Sequence, residues 1–168
     1  LAHYDALTGL PNWRTFVSRM EQWVEGARVK DRFAILFIDL DRFKAINDIL
    51  GHKAGDLLLQ QATQRLESCL RQEDFLARKS GDEFILGVRI DTADRVDLVA
   101  KKVVEQIGQP FDLDGKEGNI GASVGISLFP SDGKVVDKLI QHADTAMYYA
   151  KNQGRGSFAF FSEEMQSK

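Results

Sequence analysis

An uninterrupted apolar run from Phe33 to Ile38 ends in the acidic sequence Asp39-Leu-Asp41. A segment that is apolar at every position is typical of a β-strand covered on both faces. An ionised carboxylate at the end of such a strand is costly to bury unless a partner compensates its charge. The run therefore predicts a buried strand that delivers carboxylates to one end of a sheet.

A second carboxylate pair, Asp82 and Glu83, stands in a short turn between two further strand-like runs. If this hairpin lies beside the first strand, Asp39, Asp82 and Glu83 form a cluster of hard oxygen ligands. Such ligands suit Mg²⁺, or Mn²⁺, held together with substrate phosphates, and do not suit zinc. The pattern favours phosphoryl or nucleotidyl transfer.

Composition narrows the class of protein. The 168 residues suffice for one ordinary domain with a sizeable core. The 22 Lys and Arg residues against 25 Asp and Glu give a formal charge of -3 without a long basic run, so a nucleic acid polymer is disfavoured as a partner. The single cysteine, Cys69, lies in an apolar-periodic helix, which excludes a disulfide framework and favours a reduced, cytoplasmic setting.

The ends of the chain are typical of a fragment of a longer protein. It begins at Leu1 without an initiator methionine and ends in a polar tail over 162–168. No apolar run approaches the roughly 20 residues of a membrane helix and no signal peptide is visible, which leaves open a membrane anchor elsewhere in a full-length protein. We expect one domain over 1–168, with 1–11 as its leading segment and the tail pointing toward a following domain.

The order of predicted elements is helix, strand, two helices, hairpin, helix, strand, helix, and it indicates an α+β fold. Asn12 is expected to cap the first helix, and the short run Phe158-Ala-Phe-Phe161 is compatible with a closing strand. Asp41 is expected to cap the short helix after the buried strand, or to support the metal site without binding the metal directly. We predict a ferredoxin-like βαββαβ core, a central and mainly antiparallel sheet flanked by helices.

Five blocks of sequence, in order and over essentially the whole chain, resemble the GGDEF family of diguanylate cyclases. They are Asp5-Ala-Leu-Thr-Gly-Leu-Pro-Asn12, Asp39-Leu-Asp-Arg-Phe-Lys-Ala-Ile-Asn-Asp48, Gly51-His-Lys-Ala-Gly-Asp56, Ser80-Gly-Asp-Glu-Phe84, and Ala143-Asp144 through Ala150-Lys151 to Gly154-Arg155. The resemblance implies that two GTP molecules, one on each half of a two-fold homodimer, are joined into cyclic di-GMP with release of two pyrophosphates. It also implies a fold like the palm of nucleotide polymerases and nucleotide cyclases.

Carried over to this sequence, the resemblance assigns the metal to Asp39, the Leu40 carbonyl, Asp82 and Glu83. The pair Asp82 and Glu83 would be catalytic, and one of them, best matched by Asp82, would help to activate the attacking ribose 3′-hydroxyl. Without the resemblance, the pair reads equally well as ordinary polar turn residues.

The resemblance also implies the contacts to GTP. Asn47 and Asp56 would read the guanine edge, while the backbone near Phe43 and the side chains of Lys44, Lys151 and Arg155 would hold the phosphates. Simpler roles stay open for several of these residues. Asn47 fits an exposed helix position, Asp56 fits a helix cap, and the last two cations fit the carboxyl end of a helix.

A product-inhibition site is implied by Arg71-Gln-Glu-Asp74, which stands where the family places an Arg-x-x-Asp pattern. Arg71 would stack on guanine and Asp74 would accept its N–H groups, with Lys102 at a position where some members supply a second arginine. A solvated helix end remains the alternative for this segment.

Ser80 stands where the family signature has its first glycine. If the turn needs a left-handed backbone there, the serine Cβ would cost about 1 to 2 kcal/mol. Two other functions therefore stay open beside the cyclase. In the first, the domain binds GTP without turnover and regulates an attached partner such as an EAL phosphodiesterase, since Phe160-Phe-Ser-Glu-Glu-Met165 resembles the start of a following EAL domain. In the second, it is a receptor for cyclic di-GMP. A sensor domain is a further expected attached partner.

Overall fold

The computed structural model describes residues 2–92 and 94–166, so Leu1 of the leading segment and the last two residues of the polar tail lie outside the described residues. The helices in the described part are α1 (Trp13–Glu25), α2 (Phe43–Leu50), α3 (His52–Ser68), α4 (Arg95–Ile107) and α5 (Val136–Asn152). The strands are β1 (Phe33–Asp41), β2 (Phe75–Ser80), β3 (Glu83–Arg89), β4 (Phe111–Leu113), β5 (Lys116–Gly118), β6 (Gly121–Phe129) and β7 (Phe158–Phe160), and a short 3₁₀ turn covers Glu163–Met165.

The main sheet has the strand order β2-β3-β1-β6-β7, with β1 at its centre. β1 runs antiparallel to both β3 and β6, and β2 runs antiparallel to β3. These four strands and the helices between them form the predicted βαββαβ core, so the ferredoxin-like, α+β prediction is confirmed. The closing strand is confirmed as well, since β7 pairs in parallel with β6.

β1 is buried along its whole length because helices cover both faces of the sheet. Alternate residues such as Leu36 and Ile38 pack into a core with α2, α3 and α4. The residues between them, such as Ile35 and Phe37, pack into a second core with α1 and α5. Burying each of these large side chains stabilises the fold by roughly 1.5 to 3 kcal/mol, and Asp39 follows them near the end of this buried strand.

The two predicted helix caps have different outcomes. Asn12 caps α1 as expected, because its side chain accepts a hydrogen bond of 3.0 Å from the Thr15 amide. The capping prediction for Asp41 is wrong. Arg42 precedes α2 in a left-handed conformation with φ of 71°, and no side chain caps this helix.

Asp41 instead ties three parts of the chain together. Its buried carboxylate accepts hydrogen bonds of 2.9 Å from the Ser123 hydroxyl and 3.1 Å from the Gly156 amide. These bonds join the end of β1 to β6 and to the loop that follows α5. The alternative expectation, that Asp41 supports the metal site without binding the metal directly, stays a prediction.

The hairpin of β4 and β5 was not predicted. Arg65 of α3 holds it, since the guanidinium lies 3.6 Å from the Phe111 ring centroid and donates a 2.6 Å hydrogen bond to the Pro110 carbonyl.

Among the described helices, none combines the length and apolar character that crossing a membrane requires.

Candidate active site

The hairpin turn and the end of β1 lie side by side, as the sequence predicted. Asp39 is the register partner of Glu83, and the Leu40 amide donates a 3.1 Å hydrogen bond to the Asp82 carbonyl. Asp39 is only 5% exposed, while Asp82 and Glu83 are half-buried. Strand pairing therefore brings these three carboxylates to one end of the sheet.

The charges at this end are not balanced. Lys151 of α5 forms an ion pair with Asp39, and Lys79 Nζ lies 3.5 Å from Glu83 Oε1. Burial, reinforced by the neighbouring Asp39 carboxylate, raises the pKa of Asp82 from 3.8 to about 6. Burial is the larger of these two causes, and the second shows that Asp82 lies close to another negative charge.

The donor chemistry of these residues fits a hard divalent cation, because the available groups are carboxylate and carbonyl oxygens. Within residues 2–92 and 94–166, no group of three or more His, Cys, Asp or Glu side chains is already arranged to hold a metal ion. Lys151 neutralises Asp39 in the present arrangement. The metal set of Asp39, Leu40, Asp82 and Glu83 therefore stays a prediction that the donor types support.

Arg78 holds the turn between β2 and β3, formed by Gly81 and Asp82 and called the signature turn below. Sequence reasoning missed this role. Its side chain donates to the Gly81 carbonyl at 2.8 and 3.1 Å and to the Asp5 carboxylate at 3.0 and 3.1 Å. Asp5 also accepts hydrogen bonds from the amide and hydroxyl of Thr8. The first motif of the chain thereby holds the turn that carries Asp82, and the unassigned Asp5 was the signal that could have revealed this contact.

The strain that a left-handed backbone would impose at Ser80 is absent. Ser80 is the last residue of β2, and the residue with positive φ is Gly81, at 50°. The strand register shifts between Arg78 and Ser80, which accommodates the turn without a left-handed residue at Ser80. The departure from the signature therefore imposes no backbone strain at this position.

The residues expected to read guanine lie on α2 and α3. Asn47 is half-buried, and its side chain lies directly over Gly55, next to the exposed Asp56. Asp56 lies within α3, whose N-cap is Gly51, so the alternative that Asp56 caps this helix is wrong. The two residues stand at the junction of α2 and α3, and their role toward guanine stays a prediction.

The residues expected to hold phosphates lie at the start of α2, directly after β1, and at the end of α5 and in the loop after it. The Phe43 side chain is buried, so this residue offers only its backbone amide at the start of α2, beside the exposed Lys44. Lys151 reaches Asp39, and Arg155 is exposed in the loop that Asp41 anchors through Gly156. Among these residues, the described ion pairs bring Lys151 to the carboxylates, while Lys44 and Arg155 are exposed, and the role of the set toward phosphate stays a prediction.

The proposed inhibitory residues have other contacts. The Asp74 carboxylate is fully buried in an ion pair with Arg95 of α4, and Arg71 is paired with Asp91 on the surface. Lys102 is exposed on α4 and interacts electrostatically with Cys69. Recognition of guanine by Asp74 would require its buried ion pair with Arg95 to open. The inhibitory role of Arg71, Asp74 and Lys102 stays a prediction, and Asp74 has a structural role in addition.

Comparison with known proteins gives a consistent result. Residues 2–157 match the family described as "Diguanylate cyclase, GGDEF domain". The chain is 44% identical over 168 residues to the bifunctional diguanylate cyclase/cyclic di-GMP phosphodiesterase MucR of Pseudomonas aeruginosa, covering 99% of this chain and 24% of MucR. It is 37% identical to the cyclic di-GMP phosphodiesterase NbdA of the same organism, covering 98% of this chain and 21% of NbdA.

A solved structure of the isolated GGDEF domain of TpbB from Pseudomonas aeruginosa matches with a TM-score of 0.95 and 36% identity, covering 98% of both chains. The curated relative of that name is the diguanylate cyclase TpbB, 40% identical over 160 residues, which cover 93% of this chain and 37% of TpbB. This chain therefore spans about a fifth to two fifths of the length of these relatives.

Proposed function

The chain belongs to the GGDEF family of diguanylate cyclase domains, and from that premise we propose that it condenses two GTP molecules to cyclic di-GMP and releases two pyrophosphates. The observation that carries the proposal is the meeting of Asp39, Asp82 and Glu83 at one end of the sheet, where the charge is unbalanced. A triphosphate with its metal supplies the chemistry that such a site lacks.

Asp82 is suited to accept the proton of the ribose 3′-hydroxyl. In the metal-free domain, burial and the neighbouring Asp39 carboxylate raise the pKa of Asp82 to about 6. A bound divalent cation would lower this pKa and keep Asp82 ionised, which is the form that accepts a proton. When bound by Asp39, the Leu40 carbonyl, Asp82 and Glu83, Mg²⁺ or Mn²⁺ would offset the charge that develops on the leaving pyrophosphate.

The remaining residues bind and orient GTP in this proposal. The first-turn amide of Phe43, with Lys44, Lys151 and Arg155, holds the phosphates, and Asn47 and Asp56 select guanine. One domain presents one GTP, so two domains must face each other as a homodimer for each 3′-hydroxyl to attack the opposite α-phosphorus. The residues of one domain thus form half of a complete reaction site.

The direct test is incubation of the purified domain with GTP and Mg²⁺, at concentrations high enough for dimers to form, with chromatographic separation of the products. The proposal is supported if the parent domain forms cyclic di-GMP and an Asp82→Asn sample does not. GTP binding by calorimetry without any cyclic di-GMP would contradict it and favour the regulatory alternative.

That alternative is a GTP-binding domain that controls an attached EAL phosphodiesterase. It is favoured by the 37% identity to NbdA, a cyclic di-GMP phosphodiesterase of which this chain covers only 21%. A pure cyclic di-GMP receptor has less support, because Asp74 is occupied by Arg95.

Ser80→Gly is expected to change turnover by less than about twofold, because Ser80 already lies in ordinary strand conformation. The measurement is kcat for cyclic di-GMP formation in both proteins. Gly81→Ala is the comparison variant for backbone strain. Because the Gly81 backbone is left-handed, this change should lower the free energy of unfolding by about 1 to 2 kcal/mol. A large gain in kcat from Ser80→Gly would show that the serine disturbs alignment of the substrate.

Gly55→Ala is expected to weaken GTP binding by about 1 to 3 kcal/mol, because Asn47 would lose its guanine hydrogen bonds. A Cβ at this position would overlap Asn47 Oδ1 and lie 3.0 Å from Asn47 Cγ, so the side chain has to move. Calorimetry with GTP is the measurement.

The control for this substitution is Gly26→Ala at the end of α1, where the added Cβ would meet its nearest neighbour, the Gln22 carbonyl, at 3.4 Å. It should leave GTP affinity unchanged. Equal affinity in Gly55→Ala and the parent would mean that Asn47 does not read guanine from the position seen here.

A further inference from the structure

Lys79 is a cation beside the candidate metal site to which the proposed reaction assigns no role. It precedes the signature turn at the end of β2, and its Nζ lies 3.5 Å from Glu83 Oε1. The Lys79 side chain is 35% exposed and that of Glu83 is 26% exposed, so the pair is partly shielded from water. This shielding makes the interaction stronger than that of a fully solvated pair.

The environment of Lys79 holds its ammonium group in place. The Nζ atom lies 5.3 Å from the Trp13 ring centroid and 6.0 Å from that of Phe37. Aromatic faces at such distances attract a cation. The position of the ammonium group is therefore set by α1, β1 and β3 together.

Asp144 of α5 adds a further contact on the same side. This half-buried carboxylate interacts electrostatically with both Lys79 and Asp39. Lys79 thus lies among the charges of Glu83, Asp144 and Asp39, on the face of the sheet that α1 and α5 cover. Lys151 makes a comparable contact to Asp39, but in the proposed reaction it also holds phosphate.

We propose that Lys79 is a resident cation that competes with the divalent metal for Glu83 and thereby sets the metal affinity of the site. The inference rests on the proposed function, because it takes Glu83 as a metal ligand. An ammonium group within 3.5 Å of Glu83 repels a divalent ion bound to the same carboxylate. Metal binding at Glu83 must weaken or break this ion pair, and that requirement lowers the affinity.

The test is titration of the domain with Mn²⁺ alone, with the free ion followed by electron paramagnetic resonance. Lys79→Met keeps the apolar stem against Trp13 and removes the charge, and we expect it to tighten Mn²⁺ binding about three- to tenfold. Lys79→Arg keeps the charge and should bind Mn²⁺ like the parent. Lys101→Met, at an exposed position on α4, is the matched control and should also bind like the parent.

Unchanged or weaker Mn²⁺ binding by a folded Lys79→Met protein would overturn the inference, and the weaker case would show that Lys79 positions Glu83 for the metal. Glu83→Gln separates the inference from its premise. If Glu83→Gln loses the Mn²⁺ site while Lys79→Met is unchanged, the inference alone fails. If the parent binds no Mn²⁺ alone, the same titrations are made with a non-hydrolysable GTP analogue present, because substrate phosphates complete the proposed metal site. A parent that binds no Mn²⁺ there either contradicts the metal site of the proposed function together with the inference.

Discussion

Replacing Asp82 with asparagine is expected to lower cyclic di-GMP formation by about 10²- to 10⁴-fold, because it removes the proposed general base without changing the size of the side chain. The measurement is the initial rate with GTP and Mg²⁺ in excess. GTP affinity should fall much less than the rate, since the guanine contacts at Asn47 and Asp56 lie on other elements. A variant that retains the rate of the parent would exclude Asp82 from the chemistry.

The same variant should be at least as stable as the parent in metal-free buffer at neutral pH. The pKa of Asp82 is raised from 3.8 to about 6 by burial and by Asp39, so its ionised form destabilises the fold. This penalty is fully present above pH 6 and disappears as the pH falls toward 4, because the parent then binds the proton. Chemical denaturation at both ends of this range should show the difference between variant and parent closing.

The elements that the sequence predicted best depend on local patterns. The apolar run before Asp39 predicts β1, and the two strand-like runs on either side of Asp82 and Glu83 predict the hairpin of β2 and β3. Pairing of β1 with β3 then brings the carboxylates together. The prediction needed only one assumption about long-range structure, that the hairpin lies beside β1. The structure bears that assumption out.

The contacts that sequence reasoning missed join residues far apart in the chain. Asp41 was assigned to the adjacent helix, whereas its partners Ser123 and Gly156 stand 82 and 115 positions away. Arg78 meets Asp5 across 73 positions. Local capping rules rank the nearest free amides first, and they carry no information on which distant donor the fold will supply.

Ser80 shows a different limit of sequence reasoning. A motif compares residue types, but the strain argument needs the backbone conformation of one position. The left-handed residue is Gly81, which this chain retains. The departure at Ser80 therefore weighs less against activity than the sequence alone suggested.

Replacing Asp74 with alanine is expected to lower the free energy of unfolding by about 3 to 5 kcal/mol, because it leaves the Arg95 charge buried without its partner. The Asp74 side chain is 0% exposed and that of Arg95 is 5% exposed. The Asp74 carboxylate also accepts hydrogen bonds from the Arg89 amide at 3.2 Å and the Arg71 amide at 2.9 Å. One side chain thus joins β3, α4 and the loop before β2.

Denaturant unfolding of Asp74→Ala and Arg71→Ala, with cyclic di-GMP binding measured on both, separates the structural role from the inhibitory one. Arg71→Ala should unfold at nearly the parent's denaturant concentration, since its side chain pairs with Asp91 on the surface. If Asp74→Ala is as stable as Arg71→Ala and has lost cyclic di-GMP, Asp74 serves the ligand and the buried pair contributes little. A large loss of stability confined to Asp74→Ala would show that the acidic residue of this Arg-x-x-Asp sequence holds the fold. Arg71, whose ion pair with Asp91 lies on the surface, would then be the residue of this sequence that is accessible to a nucleotide.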